Sequence, residues 1–376
     1  MPLPSSPNTI SADLIQNEFG RKSSENWKIS DYRRRVLIGG TNWPLDEGIP
    51  TGSNDTIRFS DFHGKQHNIV IVMSGGTGRR KRMLSDKTSI DSTGFRSTNS
   101  SVRRTSKNIV YIDRIIGSSR GPRETVALRT QNNNRWFNGP PNGAKVLIIV
   151  SPNGGLYGAG GNGGDGGPYN RDGENGENGT SALGLEIEVE SIEVEPGGII
   201  VAGGGGGAGG GGGRETSRTN RKAGGGGGGG GAGFPFGERG RGGEMNNPDE
   251  GEVRLSEPGE DATIISGGSG GEGGDNDGEA YGGGGGGGGS LNPNGSPGTG
   301  NDGEGGATGG EDGSSSSGRG GDGGDGDGSN SDNGGESDGG RGGIGGYAIT
   351  RKPGIPAPTL NGSGRIHGAK AAGGVA

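Results

Sequence analysis

Gly203-Gly204-Gly205-Gly206-Gly207-Ala208-Gly209-Gly210-Gly211-Gly212-Gly213 decides how this chain folds. Runs of the same kind recur at 224–231 and 282–289. The chain holds 99 Gly in 376 residues, where an ordinary share is roughly 7%. An α-helix does not survive such a run, because each Gly costs about 1 kcal/mol relative to Ala. An ordinary strand does not either, since no side chain packs on a neighbour. Two readings remain: a disordered linker, or extended left-handed rods of polyproline-II type packed side by side. Without Cβ atoms, backbones can approach closely enough for N–H groups to reach carbonyls on neighbouring rods.

Working outward, two features favour packed rods across the body from Gly154 to Gly346. Apolar segments with strand character punctuate the runs: Leu183 to Val194, Ile199 to Ala202 and Thr263 to Ile265. Turn-like inserts such as Asn292-Pro293-Asn294-Gly295 separate runs of similar length. Gly173, Gly176 and Gly179 keep a collagen-like spacing, but it soon breaks and Pro is scarce inside the runs. A calcium β-roll needs an apolar position in each repeat. Gly320-Gly321-Asp322-Gly323-Gly324-Asp325 lacks it.

Only 24% of residues are hydrophobic and 4% aromatic, so one large apolar core across the whole chain is out of reach. Cys is absent, which excludes disulfides and thiol nucleophiles. The net charge of −7 hides a split. Residues 1–150 carry 23 Lys+Arg against 12 Asp+Glu; residues 151–376 carry 14 against 32. A basic front and an acidic back imply different surroundings for each end. No signal peptide or membrane-length apolar run is visible, so synthesis in the cytoplasm without membrane insertion is expected. His63 and His67 flank Gly64 with no helix pattern around them, so they read as a polar loop. No metal or cofactor is expected.

The front, 1–66, reads as a small α/β docking module. Ser11 caps a short helix through Phe19, with Ala12, Leu14, Ile15 and Phe19 apolar, and Gly20 stops it. A second short helix begins near Ser30-Asp31. Thr56 to Gly64 reads as a short strand, a cap and a turn. Residues 67–145 are a β-rich domain, with strands expected at Asn68 to Met73, Ile109 to Ile116 and Thr125 to Leu128, and the next from Lys145 to Val150. A basic, Ser-rich loop from Arg79-Arg80-Lys81-Arg82 to Lys107 lies between the first two. Few aromatics interleave with it, so base stacking has little support. The Gly-rich body takes 146–346, and a strand and tail take 347–376.

Strands running straight into glycine mark the joins. Ala144 to Gly161 is the first, and Leu185 to Gly203 the second. Glu186, Glu188, Glu190, Glu193 and Glu195 alternate with apolar residues, as in a strand with one wet face. The pattern lacks any partner group for acid/base catalysis. Arg241-Gly242-Gly243, Arg319-Gly320-Gly321 and Arg341-Gly342-Gly343 look like RGG boxes, but acidic surroundings would repel a phosphate backbone. Nucleic acid is an unfavoured partner, and the chain reads as a non-enzyme.

Two resemblances follow from these residues. Met1 to Ser6, Ile10-Ser11, Glu18-Phe19-Gly20 and Ile57-Arg58-Phe59-Ser60-Asp61-Phe62-His63-Gly64-Lys65 resemble the opening of tailed-phage virion proteins. The strand-to-polyglycine joins and the closing Gly343-Ile344-Gly345-Gly346-Tyr347-Ala348-Ile349 resemble the receptor-binding adhesins of T-even-type long tail fibres. That resemblance implies a sandwich of packed polyglycine-II helices with few short strands and little α-helix. It also implies a structural tail-fibre component that exposes an adhesin domain for host recognition. The front end departs from the adhesins, and the loops are unusually acidic. A stiff spacer without receptor binding is the alternative.

The partners so implied are other tail proteins, met through Leu14, Phe19, Phe59 and Phe62, and a host surface glycan or outer-membrane protein. Fibres are often homotrimers, although a rod sandwich can close within one chain. Arg214, Arg218, Arg221, Phe234, Phe236 and Tyr281 are the candidate receptor contacts, since Arg and aromatics dominate binding hot spots. Phe234 and Phe236 could equally cap the rods.

Overall fold

The computed structural model describes residues 3–18, 28–29, 49–50, 54–65, 69–74, 108–130, 146–169, 171–214, 222–247, 252–276, 280–303, 307–328 and 337–368. Statements below concern those residues. Phe19, Gly20, the segment at Ser30-Asp31, the basic loop from Arg79 to Lys107, Arg218 and Arg221 lie outside them.

The described front has one α-helix, α1 (Ala12–Glu18). As expected, the Ser11 hydroxyl caps it, accepting the Leu14 N–H at 3.2 Å. Of the short strand, cap and turn expected over Thr56 to Gly64, the strand does not form, and Phe59–Phe62 makes a 3-10 turn. The Asp61 carboxylate accepts the Arg58 N–H at 2.6 Å, and that local bond wins over strand propensity. Leu3, Ile15, Ile49 and Phe62 form a small buried cluster under the helix and turn.

The apolar strands form a three-sided parallel coil. Its first strand is β1 (Ile69–Ser74). One circuit then runs through β2 (Asn108–Asp113), β3 (Ile115–Gly117) and β4 (Val126–Thr130). A second runs through β5 (Val146–Val150), β6 (Gly155–Tyr157) and β7 (Ser181–Leu185). The third starts with β8 (Ser191–Val194) and β9 (Ile199–Val201). Each circuit stacks on the last, so β2 pairs with β5 and β5 with β8, while β3–β6–β9 and β4–β7 build the other two sides. Every one of these pairings is parallel.

The core lies inside the three sides. Val110, Ile148 and Ile192 fill it from one side, Ile116, Leu156 and Ile200 from the second, and Leu128 and Leu183 from the third. Burying each such side chain is worth about 1.5–3 kcal/mol. The Leu183 to Val194 stretch is two strands, not one. A corner at 186–190 separates them, and Ile187 and Val189 turn inward there.

The glycine body enters as two insertions at one corner of the coil, between the second and third sides. The first, 158–180, links β6 to β7. The second, from 202 on, leaves β9. It carries short strands at its far end: β10 (Gly213–Arg214), β11 (Lys222–Ala223), β12 (Glu244–Asn247), β13 (Glu252–Leu255), β14 (Asp275–Asn276), β15 (Ala280–Tyr281) and β16 (Asp327–Gly328). The chain then rejoins the coil through β17 (Ile349–Arg351), β18 (Thr359–Asn361) and β19 (Arg365–His367), which pair in parallel with β7, β8 and β9. Strands on both sides of residue 146, and on both sides of 346, therefore share the same three sheets. Thr263 to Ile265, read as strand-like, is instead part of a tight turn closed by the Thr263 hydroxyl accepting the Ser266 N–H at 2.8 Å.

Candidate functional site

The glycine runs form a lattice that carries the loops, and its rule is legible in one run. In 203–212, the N–H groups of Gly203, Gly206, Gly209 and Gly212 donate to Thr180, Glu177, Glu174 and Arg171. Those of Gly204, Gly207 and Gly210 donate to Ala232, Gly229 and Gly226. Those of Gly205, Ala208 and Gly211 donate to Gly318, Gly321 and Gly324. Donors thus step through three directions with a period of three residues. The same run accepts from three further runs, through Gly161, Gly283 and Gly340 among others.

Such packing leaves no room for side chains inside. A Cβ on Gly207 would land on the carbonyl oxygen of Gly286, and one on Gly205 on that of Gly343. Ala208 is an exception, its methyl fully buried.

Runs at the edge read differently. In 337–346 every third residue, Asp338, Arg341 and Ile344, is exposed, with glycines between. In 171–180 only Gly173, Gly176 and Gly179 remain. The three exposed positions donate their N–H groups to the side-chain oxygens of Asp172, Asn175 and Asn178 at 3.0, 2.7 and 2.8 Å. The Asx residues thus satisfy backbone donors where no further rod exists to do so.

The lattice has two ends. The near end sits on the coil, where Tyr157, Ile199, Val201, Ala202 and Leu291 form a buried cluster with Phe234 packed against it. Burial raises the Tyr157 hydroxyl pKa above its ordinary value. Arg120 bonds Glu238 at 3.0 Å and the Phe236 carbonyl at 2.8 Å, and Arg123 bonds the Gly345 carbonyl at 2.7 Å. The far end is closed by two small antiparallel sheets, β10-β11-β12-β13 and β14-β15-β16.

The candidate contacts divide between these ends. Arg214 and Tyr281 stand at the far end, in register with Lys222 and with Asp275 and Asp327 respectively. Phe234 and Phe236 stand at the near end; Phe234 is half-buried and Phe236 exposed. The structure does not bring those two pairs together. Of the docking candidates, Phe62 is buried, and Leu14 on the helix and Phe59 in the 3-10 turn are exposed.

Sequence reasoning missed other far-end residues. Lys222 lies over the Tyr169 ring at 3.7 Å, a contact worth about 0.5–1 kcal/mol at an exposed site. Val253 and Leu255 are exposed on the edge strand β13. Alternation in Glu252-Val253-Arg254-Leu255 was the available signal.

Among the described residues, no three His, Asp or Glu side chains converge as a metal site. No described helix is long and apolar enough to cross a membrane.

Comparison with known proteins adds one family. Residues 122–274 match the family model described as phage tail fibre adhesin Gp38. No curated protein matches the chain. A chain in the crystal structure of the gp37-gp38 adhesin tip complex of the bacteriophage S16 long tail fiber is similar at 16% identity and a TM-score of 0.32, with 85% of this chain and 88% of that chain covered.

Proposed function

We infer that this chain is a phage tail fibre component that mediates host recognition, on the strength of the match of residues 122–274 to the phage tail fibre adhesin Gp38 family. That match is the observation that carries the reading. The protein's station is then the virion tail, and its role is one of binding and structure rather than catalysis.

The finer parts of the reading are these. The glycine body is a packed polyglycine-II sandwich, supported by the three-residue repeat of its donors. The front docks on another tail protein, with exposed Leu14 and Phe59 offering apolar contacts and Phe19, next after the helix in sequence, joining them. The host glycan or outer-membrane protein meets the far end. The short strands that end several runs gather there, and Arg214, Arg218, Arg221 and Tyr281 are the contacts. Phe234 serves as a cap at the near end.

Binding of the purified protein to susceptible cells tests this reading. Arg214→Ala with Tyr281→Ala should lower cell binding about tenfold or more, with amide exchange across 203–232 unchanged. Unchanged binding would move the contact away from the far end. A wild-type protein that neither binds cells nor competes with phage adsorption would leave only the stiff spacer. The observation that favours a spacer is that Arg214 and Tyr281 sit in strand pairings of their own.

A further inference from the structure

A groove of about 430 Å³ runs along the flank of the lattice, between run 235–243 and run 255–261. Its size falls within the roughly 300–1,000 Å³ of small-molecule sites. Glu238, Arg239 and Arg241 line it from the first run, and Leu255, Pro258 and Asp261 from the second.

Charge bookkeeping in the groove is uneven. Glu238 is already paired with Arg120 at 3.0 Å. Asp261 accepts the Arg239 backbone N–H at 2.9 Å. Glu260 is turned the other way, towards the Ser269 N–H at 3.4 Å. Among the described residues, the guanidinium groups of Arg239 and Arg241 take part in no hydrogen bond or ion pair. Two free forks therefore face one carboxylate that the backbone already engages.

The rod turns once every three residues, so Arg241 shares a face with Glu238 while Arg239 stands on the face towards Asp261, and both long side chains border the same groove. Guanidinium recognises planar carboxylate and phosphate through paired N–H···O bonds. Leu255 and Pro258 are exposed opposite, an apolar wall against which the C–H face of a sugar ring can lie. The backbone beneath is fixed: Gly237, Gly240 and Gly243 donate to Gly231, Gly228 and Gly225. The site is therefore set on rigid elements.

We propose that this flank groove binds an anionic pyranose, a sugar carrying a carboxylate or a phosphate, through Arg239 and Arg241. It is a second surface that reaches Leu255 but includes neither Arg214 nor Tyr281, and it stands whether or not those contacts hold.

Calorimetry or saturation-transfer NMR on the full chain, with glucuronate, glucose 6-phosphate and glucose as probes, tests it. At least one charged sugar should bind about tenfold more tightly than glucose. Arg239→Ala with Arg241→Ala should abolish that preference, and added salt should weaken it. Which charged sugar binds decides between carboxylate and phosphate. Lattice amide exchange in the double variant checks that the fold is intact, and a Lys pair at the same positions should retain part of the preference. Equal binding of charged and neutral sugars, no binding of either charged sugar, or a preference that survives the double Ala variant, would overturn the proposal. Cell binding is read separately, so loss of one result does not decide the other.

Discussion

The coil and the lattice solve one problem by opposite means. Both must satisfy every buried N–H and C=O. In the coil, strands pair in parallel, and the energy comes from apolar side chains such as Leu183 and Ile192 packed inside three sheets. In the lattice, side chains are removed, and each interior backbone bonds in several directions at once. The coil tolerates variation on its outer faces because side chains alternate there. The interior runs tolerate little, because the neighbour in every direction is a carbonyl. A backbone bond is worth only about 0.5–1.5 kcal/mol net, so the lattice depends on how many such bonds break together.

The largest test of that contrast is one methyl. Gly207→Ala sets its Cβ against the Gly286 carbonyl. That carbonyl accepts the Gly229 N–H at 2.9 Å, while the Gly286 N–H donates to Ala208 at 2.8 Å. Moving residue 286 adds two disturbed bonds to the roughly 1–3 kcal/mol of overpacking. We expect a loss of about 5 kcal/mol, with amide protection falling across 203–212, 224–232 and 282–290. Leu183→Ala in the coil should cost about 2–5 kcal/mol and reduce protection in 146–201 first. Exchange mass spectrometry separates the two. If both variants lose protection in the same segments, coil and lattice are one cooperative unit and the contrast fails.

Much of this was open to a reader of the residues, for local reasons. β1, β2, β4, β5 and β9 fall where β-branched runs stand between turn residues. The joins at Val150 and Val201 mark where strands give way to glycine. What escaped was long-range. Nothing local announces that Ile349 pairs with Leu183 across a large insertion. The collagen-like spacing of Gly173, Gly176 and Gly179 was visible, but its meaning lay in the neighbours. Such a triplet belongs to an edge rod, a Gly-Gly-x triplet to a face, and an unbroken run to the interior. For the candidate site, Arg214 and Tyr281 read as loop residues, but each lies in a short paired strand at the end of a rod. That Phe234 and Phe236 lie at the opposite end was not, because rod direction is a tertiary property. Tyr169 and Lys222 meet only through folding.

A smaller effect tests the edge rule. Asn175 offers its side-chain oxygen to the Arg341 N–H at 2.7 Å on an exposed face. Asn175→Ala should cost about 0.5–1.5 kcal/mol and speed exchange at the Arg341 amide, with Gly-run protection intact. Asn175→Asp keeps the acceptor and should be nearly neutral at pH 7. An Ala variant as stable as the Asp variant would mean that water replaces the side chain at no cost, and that lattice edges need no Asx residues.

The smallest expected effect lies on the coil side, in its last rung. His367 ends β19, and its backbone carbonyl accepts the Ala202 N–H at 2.9 Å, where the lattice begins. Burial lowers its pKa below the ordinary histidine value of 6.5, and the nearby Arg365 charge lowers it further. Below pH 6.5 the unfolded chain therefore takes up a proton that the folded chain resists. Stability rises with pH wherever the unfolded state binds more protons. The contribution should thus be lost as pH falls from 6.5 through the lower folded value, and be flat above 6.5. Melting curves of wild type and His367→Gln between pH 7.5 and pH 5 isolate it, because carboxylates common to both cancel in the difference. The wild type should lose more stability than the variant across that window. Parallel curves would mean that the last rung is open to water, and that the coil ends before the point at which it launches the lattice.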